Sequence, residues 1–188
     1  MNLSRIEKYL ERLKTQIYNE PRCEHHTKAS IEVVNEFCGD LIFDSVIELG
    51  CGNAPILDEM KKMGKKTLGV TLGGETSDHE VLREDMHCAT VADSSFDMVV
   101  ARHVLEHSPM PLLLLMEMRR IAVKYALVVL PEPTRLSIDY PNHYSVFRKR
   151  LWEKLFGLAG FKVVRYKKAR YYFEDVWFYE YRWLLKTV

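Results

Sequence analysis

The segment Glu48-Leu49-Gly50-Cys51-Gly52-Asn53-Ala54-Pro55 ends a short apolar run with an acid and two glycines spaced by one residue. Glycines so placed allow a tight turn and let a ligand lie directly against the backbone. A dinucleotide fingerprint GxGxxG would need glycine at position 55, where Pro55 stands, and no Gly-Lys-Ser/Thr follows to make a P-loop. Nicotinamide and flavin cofactors are therefore disfavoured, and the turn taken alone also fits a plain connection from strand to helix. Glu48 sits where a carboxylate is costly to bury unless it is paired. Two histidines lie after later strands. His103 and His143 each offer an imidazole that titrates near neutrality and can take a proton from a substrate. His107, one helical turn beyond His103, reads as a packing or capping residue. His25 and His26 read as a solvated helix start. Cys51 reads as a small turn residue and not a nucleophile, because no base accompanies it.

The elements that must position these residues follow from apolar periodicity. Ile6, Leu10, Leu13 and Ile17 mark one helix face, ended by Glu20-Pro21. Thr27 caps a second helix with Ile31, Val34 and Phe37 inward, stopped at Gly39. The period then changes. Short strands are expected at 45–49, 66–70, 80–83, 96–101 and 125–130, with helices at 55–63 and 111–121 between them. Leu112 to Leu115 belong to helix core. A proline-containing ordered loop spans 131–142. A helix over 145–158 turns Val146, Leu151, Leu155 and Leu158 inward, and final strands fall at 161–166 and 172–181. Alternating strands and helices give an α/β, Rossmann-like, doubly wound sheet of seven mostly parallel strands. The last strand, reached without a long helix, is antiparallel at a sheet margin. A helical cap (1–40) precedes the core (41–188) in one domain. Ligands of such sheets bind at the carboxyl ends of the strands, just after Leu49, Val70, Arg83, Ala101 and Leu130.

Composition removes other classes. The 188 residues carry 27 Lys+Arg against 26 Asp+Glu, a net charge of +1, which gives no strong nucleic-acid signal. Arg148-Lys149-Arg150 and Lys167-Lys168-Ala169-Arg170 read as solvated faces. Four cysteines show no CxxC pair and no closely spaced Cys/His set, so neither a disulfide scaffold nor a metal is expected, and a reducing, cytoplasmic setting is the default. The longest apolar stretch, Pro111 to Met118, falls well below the ~20 residues of a membrane span, and no signal peptide is visible.

An acid followed by glycine-x-glycine after a first strand resembles motif I of the class I S-adenosylmethionine-dependent methyltransferases. From Val46 to Val164 the chain resembles their small-molecule "type 11" branch. Further landmarks occur in order: Leu68-Gly69-Val70-Thr71-Leu72, Arg83-Glu84-Asp85-Met86, the Ser95 to Val100 entry into strand four, His103-Val104-Leu105-Glu106-His107 and Gly157 to Phe161. The resemblance implies S-adenosyl-L-methionine as cofactor and S-adenosyl-L-homocysteine as product. It assigns the methionine part to Glu48, Gly50, Cys51 and Gly52, the adenine to Asp85 and Met86, and a further cofactor contact to Arg102 and His103. The usual ribose-binding acid after strand two is replaced by Thr71. The run to Glu75 is similar to the turn of cyclopropane-fatty-acid-synthase-type enzymes, which implies that Thr71, Leu72 and Glu75 serve the ribose.

The implied activity is direct in-line methyl transfer to O, N or C of a small-molecule acceptor by a monomer or homodimer, with His103 or His143 as base where one is needed. The acceptor pocket is expected from the N-terminal helices, the 131–142 loop and the aromatic residues Tyr166, Tyr171, Tyr172, Phe173, Trp177 and Phe178. Two competing readings are an RNA or protein methyltransferase, and a silent cofactor-binding scaffold of the same fold.

Overall fold

The β-branched run that precedes the glycine turn forms β1 (Ser45–Leu49), the centre of the sheet in a computed structural model that describes residues 24–74, 78–173 and 176–188. Around it stand α1 (Glu24–Cys38), α2 (Pro55–Lys62), β2 (Lys66–Val70), β3 (Val81–Leu82), β4 (Phe96–Arg102) and a 3-10 turn (Leu105–His107). The chain continues through α3 (Pro111–Ile121), β5 (Ala122–Pro131), the one-turn helix α4 (Arg135–Ile138), α5 (Lys149–Leu158), β6 (Phe161–Phe173) and β7 (Val176–Thr187).

The seven strands lie in the order β3-β2-β1-β4-β5-β7-β6. Strands β1 to β5 pair parallel, and β7 runs antiparallel to both β5 and β6. The expected Rossmann-like class and the antiparallel last strand are both present. The position of that strand differs from expectation, because β7 is inserted inside the sheet and β6 forms the margin. The bounds of the last two strands differ as well: β6 runs seven residues beyond the expected Tyr166, to Phe173, and β7 ends at Thr187 and not Tyr181. Leu184 and Leu185, left out of the sequence-based strand, are fully buried against β5.

Strand periodicity divides the core into two layers. Ile47, Leu49, Val99, Ala101, Ala126, Val128 and Leu130 face α3 and α5, while Val46, Met98, Val100, Leu127 and Val129 face α1 and α2. Within α5 the inward residues are Trp152 and Phe156, not the expected Leu151 and Leu158, which are exposed. The reason is the neighbour: Phe156 meets Trp183 of β7 edge-on with centroids 5.2 Å apart. That helix also starts at Lys149, because Ser145 is tied to the segment after β4, its hydroxyl donating to Ser108 O at 2.7 Å and its N–H to Glu106 O at 2.9 Å. Thr27 lies inside α1 and does not cap it. Val33, Val34 and Phe37 of α1 pack on the sheet. The helix expected over residues 6–17 lies outside the described residues. Among the described residues no helix is long and apolar enough to cross a membrane.

Candidate functional site

At the carboxyl end of β1 the backbone turns through Gly50 (φ +72°) and Gly52 (φ +51°), and the Gly50 and Cys51 N–H groups both donate to Val70 O, at 2.7 and 3.1 Å. A Cβ on Gly50 would stand 2.6 Å from Val104. A Cβ on Gly52 would meet no described atom within 4 Å apart from its chain neighbours, so that side of its Cα faces open space. Ala54 is also left-handed (φ +55°), directly before Pro55 at the first turn of α2. A residue with a Cβ carries roughly 1–2 kcal/mol of strain in that conformation.

These residues open into a cavity of about 580 Å³ at the carboxyl ends of β1, β4 and β5. Glu48, Gly50, Cys51, Gly52, Arg102, His103 and His143 all line it, which brings together seven of the residues singled out in the sequence. Its far wall is the 131–142 loop and the tip of the β6–β7 hairpin, with Tyr171, Trp177, Phe178 and Tyr179. Of the other aromatics expected there, Tyr166 packs instead against Tyr181 and Trp183, and Tyr172 is exposed. The side chain of Phe173 lies outside the described residues, and α1 does not line the cavity.

Charge is concentrated at the bottom. Burial pushes the Glu48 carboxyl up to about 8, although Arg102 opposes the shift and the Leu57 N–H donates to it. Among the described residues, Glu48 Oε2 and Arg102 Nε and Nη2 are buried without a hydrogen-bond partner. Orphaned groups of this kind carry a penalty unless a ligand satisfies them. Cys51 is buried and burial drives its thiol far up, which leaves it inert.

His103 holds an unusual left-handed backbone (φ +51°), with its N–H donating to Val129 O at 2.9 Å. Its ring is clasped at both ends: Nδ1 is 3.1 Å from Glu106 Oε1 and Nε2 is 2.9 Å from Glu180 Oε2. Burial alone would lower the imidazole pKa, but the two carboxylates outweigh it and raise it. Burial likewise acts to raise Glu180, yet His103, Arg102 and Arg182 hold it down to about 2. In this geometry both ring nitrogens donate, so His103 has no lone pair with which to accept an acceptor's proton. Arg182 continues the chain, donating through Nε to Glu180 at 2.6 Å and reaching Glu36 and Glu32 of α1 at 3.0 and 3.1 Å.

Asp85, Met86, Thr71 and Leu72 do not line the cavity. Asp85 Oδ1 accepts from the His87 backbone N–H at 2.9 Å and pairs with His87 Nδ1 at 2.7 Å. Thr71 Oγ1 is turned back on its own loop, donating to Gly73 O at 2.8 Å. That loop reaches the glycine turn, where Gly74 packs directly on the Gly52 carbonyl. Glu75 lies outside the described residues. The sequence reading missed Glu106, Glu180 and Arg182. Two charged residues at alternate positions in the otherwise apolar run Tyr179 to Leu185 were the available signal.

A sheet in the order observed, with a glycine turn and a cavity at the carboxyl end of its first strand, is the fold of the class I methyltransferases. A methyltransferase-domain family model matches residues 4–166, and the chain belongs to that family. The chain is 27% identical over 169 residues to the uncharacterized protein MJ0638 of Methanocaldococcus jannaschii, covering 78% of this chain and 73% of that one. Among solved structures it is similar to the 1,6-didemethyltoxoflavin-N1-methyltransferase of Burkholderia thailandensis, with bound 1,6-didemethyltoxoflavin and S-adenosylhomocysteine. The TM-score is 0.77 at 13% identity, covering 97% of this chain and 90% of that one. It is also similar to a SAM dependent methyltransferase from Archaeoglobus fulgidus, with TM-score 0.70 at 17% identity over 87% and 94% of the two chains.

Proposed function

We propose that this protein is an S-adenosylmethionine-dependent methyltransferase that moves a methyl group directly to a small-molecule acceptor. The observation that carries the reading is the juxtaposition of the open Cα side of Gly52 with orphaned polar atoms of Glu48 and Arg102 in one cavity. The amino-acid end of the cofactor is a zwitterion. Glu48 offers an acceptor for its ammonium and Arg102 offers two donors for its carboxylate, as charge-assisted bonds require. A cavity of about 580 Å³ falls within the ~300–1,000 Å³ of small-molecule sites.

When bound, S-adenosylmethionine supplies an electrophilic sulfonium methyl. The residues of this chain contribute alignment and exclusion of water, and such positioning can lower a barrier by ~7–11 kcal/mol. The aromatic hairpin tip and the 131–142 loop enclose the acceptor side. His103 acts as a fixed cation that orients Glu106 and Glu180, and Thr71, Leu72, Glu75, Asp85 and Met86 are retained as candidates for the nucleoside end.

Calorimetry with S-adenosylhomocysteine tests the cofactor, and donor turnover against a metabolite panel tests the acceptor class. Binding with a well-defined stoichiometry and turnover of a metabolite support the reading. No binding overturns it, while turnover on RNA or protein alone would transfer the enzyme to a macromolecular substrate.

A further inference from the structure

Glu106 and His107 stand side by side on the 3-10 turn after β4, and His143 comes from the end of the loop after β5. The backbone ties the two segments together: Tyr144 and Ser145 N–H both donate to Glu106 O, at 2.7 and 2.9 Å. The side chains converge on the cavity wall, and one donor atom from each of the three lies within 4.8 Å of the others. The histidine rings meet edge-on with centroids 4.8 Å apart.

The hydrogen bonds determine which atoms are offered. His107 Nδ1 is 2.9 Å from Asn142 O and His143 Nδ1 is 2.6 Å from Ser137 O. A carbonyl can only accept, so each Nδ1 carries a proton and Nε2 is the nitrogen left to serve as a ligand. Glu106 is fully buried, with Oε1 engaged by His103 and Oε2 without a partner. Two imidazoles oriented through Nδ1–H to backbone carbonyls, and a carboxylate held by an outer histidine, are the outer contacts that orient metal ligands.

We propose that Glu106, His107 and His143 form a binding site for a divalent first-row transition metal of the zinc or iron type. Two imidazoles with one carboxylate suit these ions better than magnesium or calcium, which prefer all-oxygen ligands. Ligand distances of roughly 2.0–2.2 Å require the donor atoms to close by about an ångström, a small rotation of side chains on a cavity wall. Three protein ligands leave open positions, and all three residues line the cavity. This departs from the sequence expectation of no metal, which searched for cysteine pairs and close spacing and not for His143, distant in the chain. On the methyltransferase reading above, on which this last step rests, a cation here would acidify an acceptor hydroxyl, the task that the clasped His103 leaves unfilled.

The test uses the full-length protein, treated with chelator and then titrated with Zn²⁺ by calorimetry and with Co²⁺ by visible absorption. The expected result is one Zn²⁺ per chain and a Co²⁺ d–d spectrum, with at least tenfold weaker binding in His107→Gln and in His143→Gln. Far-UV circular dichroism checks that each variant is folded, and His143→Gln, in a loop, serves if the other is not. No binding, unchanged affinity in a folded variant, or a thiolate charge-transfer band overturns the proposal. S-adenosylhomocysteine titrated into the same preparation keeps the two readings apart, since metal binding without cofactor binding sinks only the methyltransferase.

Discussion

His103 Nε2 lies 2.9 Å from Glu180 Oε2, joining two residues 77 positions apart across the carboxyl ends of the central strands. Glu180 passes the charge on to Arg182, and Arg182 to Glu36 and Glu32 of α1. One line of alternating charge therefore runs from the cavity wall along the α1-facing side of the inserted strand β7 to α1. A left-handed histidine persists only where its surroundings over-determine it, and this line is what holds His103.

Glu180→Gln removes the central negative charge and leaves a buried arginine and imidazolium facing each other. Breaking one partner of a buried pair costs about 3–5 kcal/mol, and denaturant unfolding should show a loss of that order. Because the Glu180 pKa is lowered from 4.5 to about 2, its contribution is present above pH 4.5 and is lost as the pH falls toward 2. The variant should lack that part of the acid limb. A loss under about 1 kcal/mol, the scale of exposed pairs, would show that the line is not a clasp.

Glu48 has the opposite sign. Its pKa is raised by burial from 4.5 to about 8, so its contribution to folding is fully present below pH 4.5 and is lost as the pH rises through about 8. Glu48→Gln should match the parent near pH 4 and exceed it in stability at pH 8–9, by an amount on the order of a few kcal/mol. Cofactor binding should change in the reverse sense. A ligand ammonium needs the carboxylate, so binding to the parent releases a proton and tightens from pH 6 to 8, whereas the glutamine variant binds weakly with no such release. Calorimetry in buffers of different ionisation enthalpy measures the proton directly, and equal proton release by the two proteins would remove Glu48 from the cofactor site.

The two glycines of the turn should fail for different reasons. Gly52→Val meets open space, so the fold should survive with a backbone strain of roughly 1–2 kcal/mol while S-adenosylhomocysteine affinity falls at least tenfold. Gly50→Ala drives a methyl into Val104 and should lower stability by a further ~1–3 kcal/mol from overpacking. The double variant Gly50→Ala/Val104→Ala should recover part of that loss. Cofactor titration and thermal melts separate the two, and unchanged affinity in Gly52→Val would remove the cofactor from the turn.

What was legible in the sequence is what local physics decides. β1 and its glycines were readable because a β-branched run followed by residues permissive of positive φ has few other uses. The inward face of α5 was not. Leu151 and Leu158 recur around Leu155 as regularly as Trp152 and Phe156 do; Leu155 does pack on the core, and Trp183 across the layer draws in Phe156 and not the outer leucines. The insertion of β7 between β5 and β6 likewise depends on pairing between residues far apart in the chain, from Tyr125 with Lys186 to Pro131 with Glu180. The site divides in the same way. Glu48, Gly52 and Arg102 sit at a strand end, whereas Asp85 is engaged by its own neighbour His87, and Glu180 is tied to the cavity only through His103, 77 residues away in the chain.

The 131–142 loop makes the most selective claim about the acceptor. Thr134 caps α4 through a reciprocal capping box with Ser137, whose hydroxyl also donates to Glu132 O, so the turn carrying Leu136 and Tyr140 is anchored at its base. Leu136 and Tyr140 line the cavity, yet remain 58% and 42% exposed, as residues that await a ligand do. Replacing either with alanine removes apolar contact from the acceptor without touching Glu48, Arg102 or the glycine turn. Tyr140→Ala should therefore raise the acceptor KM about tenfold, equivalent to ~1.4 kcal/mol, while S-adenosylhomocysteine affinity changes less than twofold. Steady-state kinetics on an acceptor found in the metabolite panel, paired with cofactor titration, measures both quantities. Equal losses in both would mean that the loop shapes the whole cavity and does not select the acceptor.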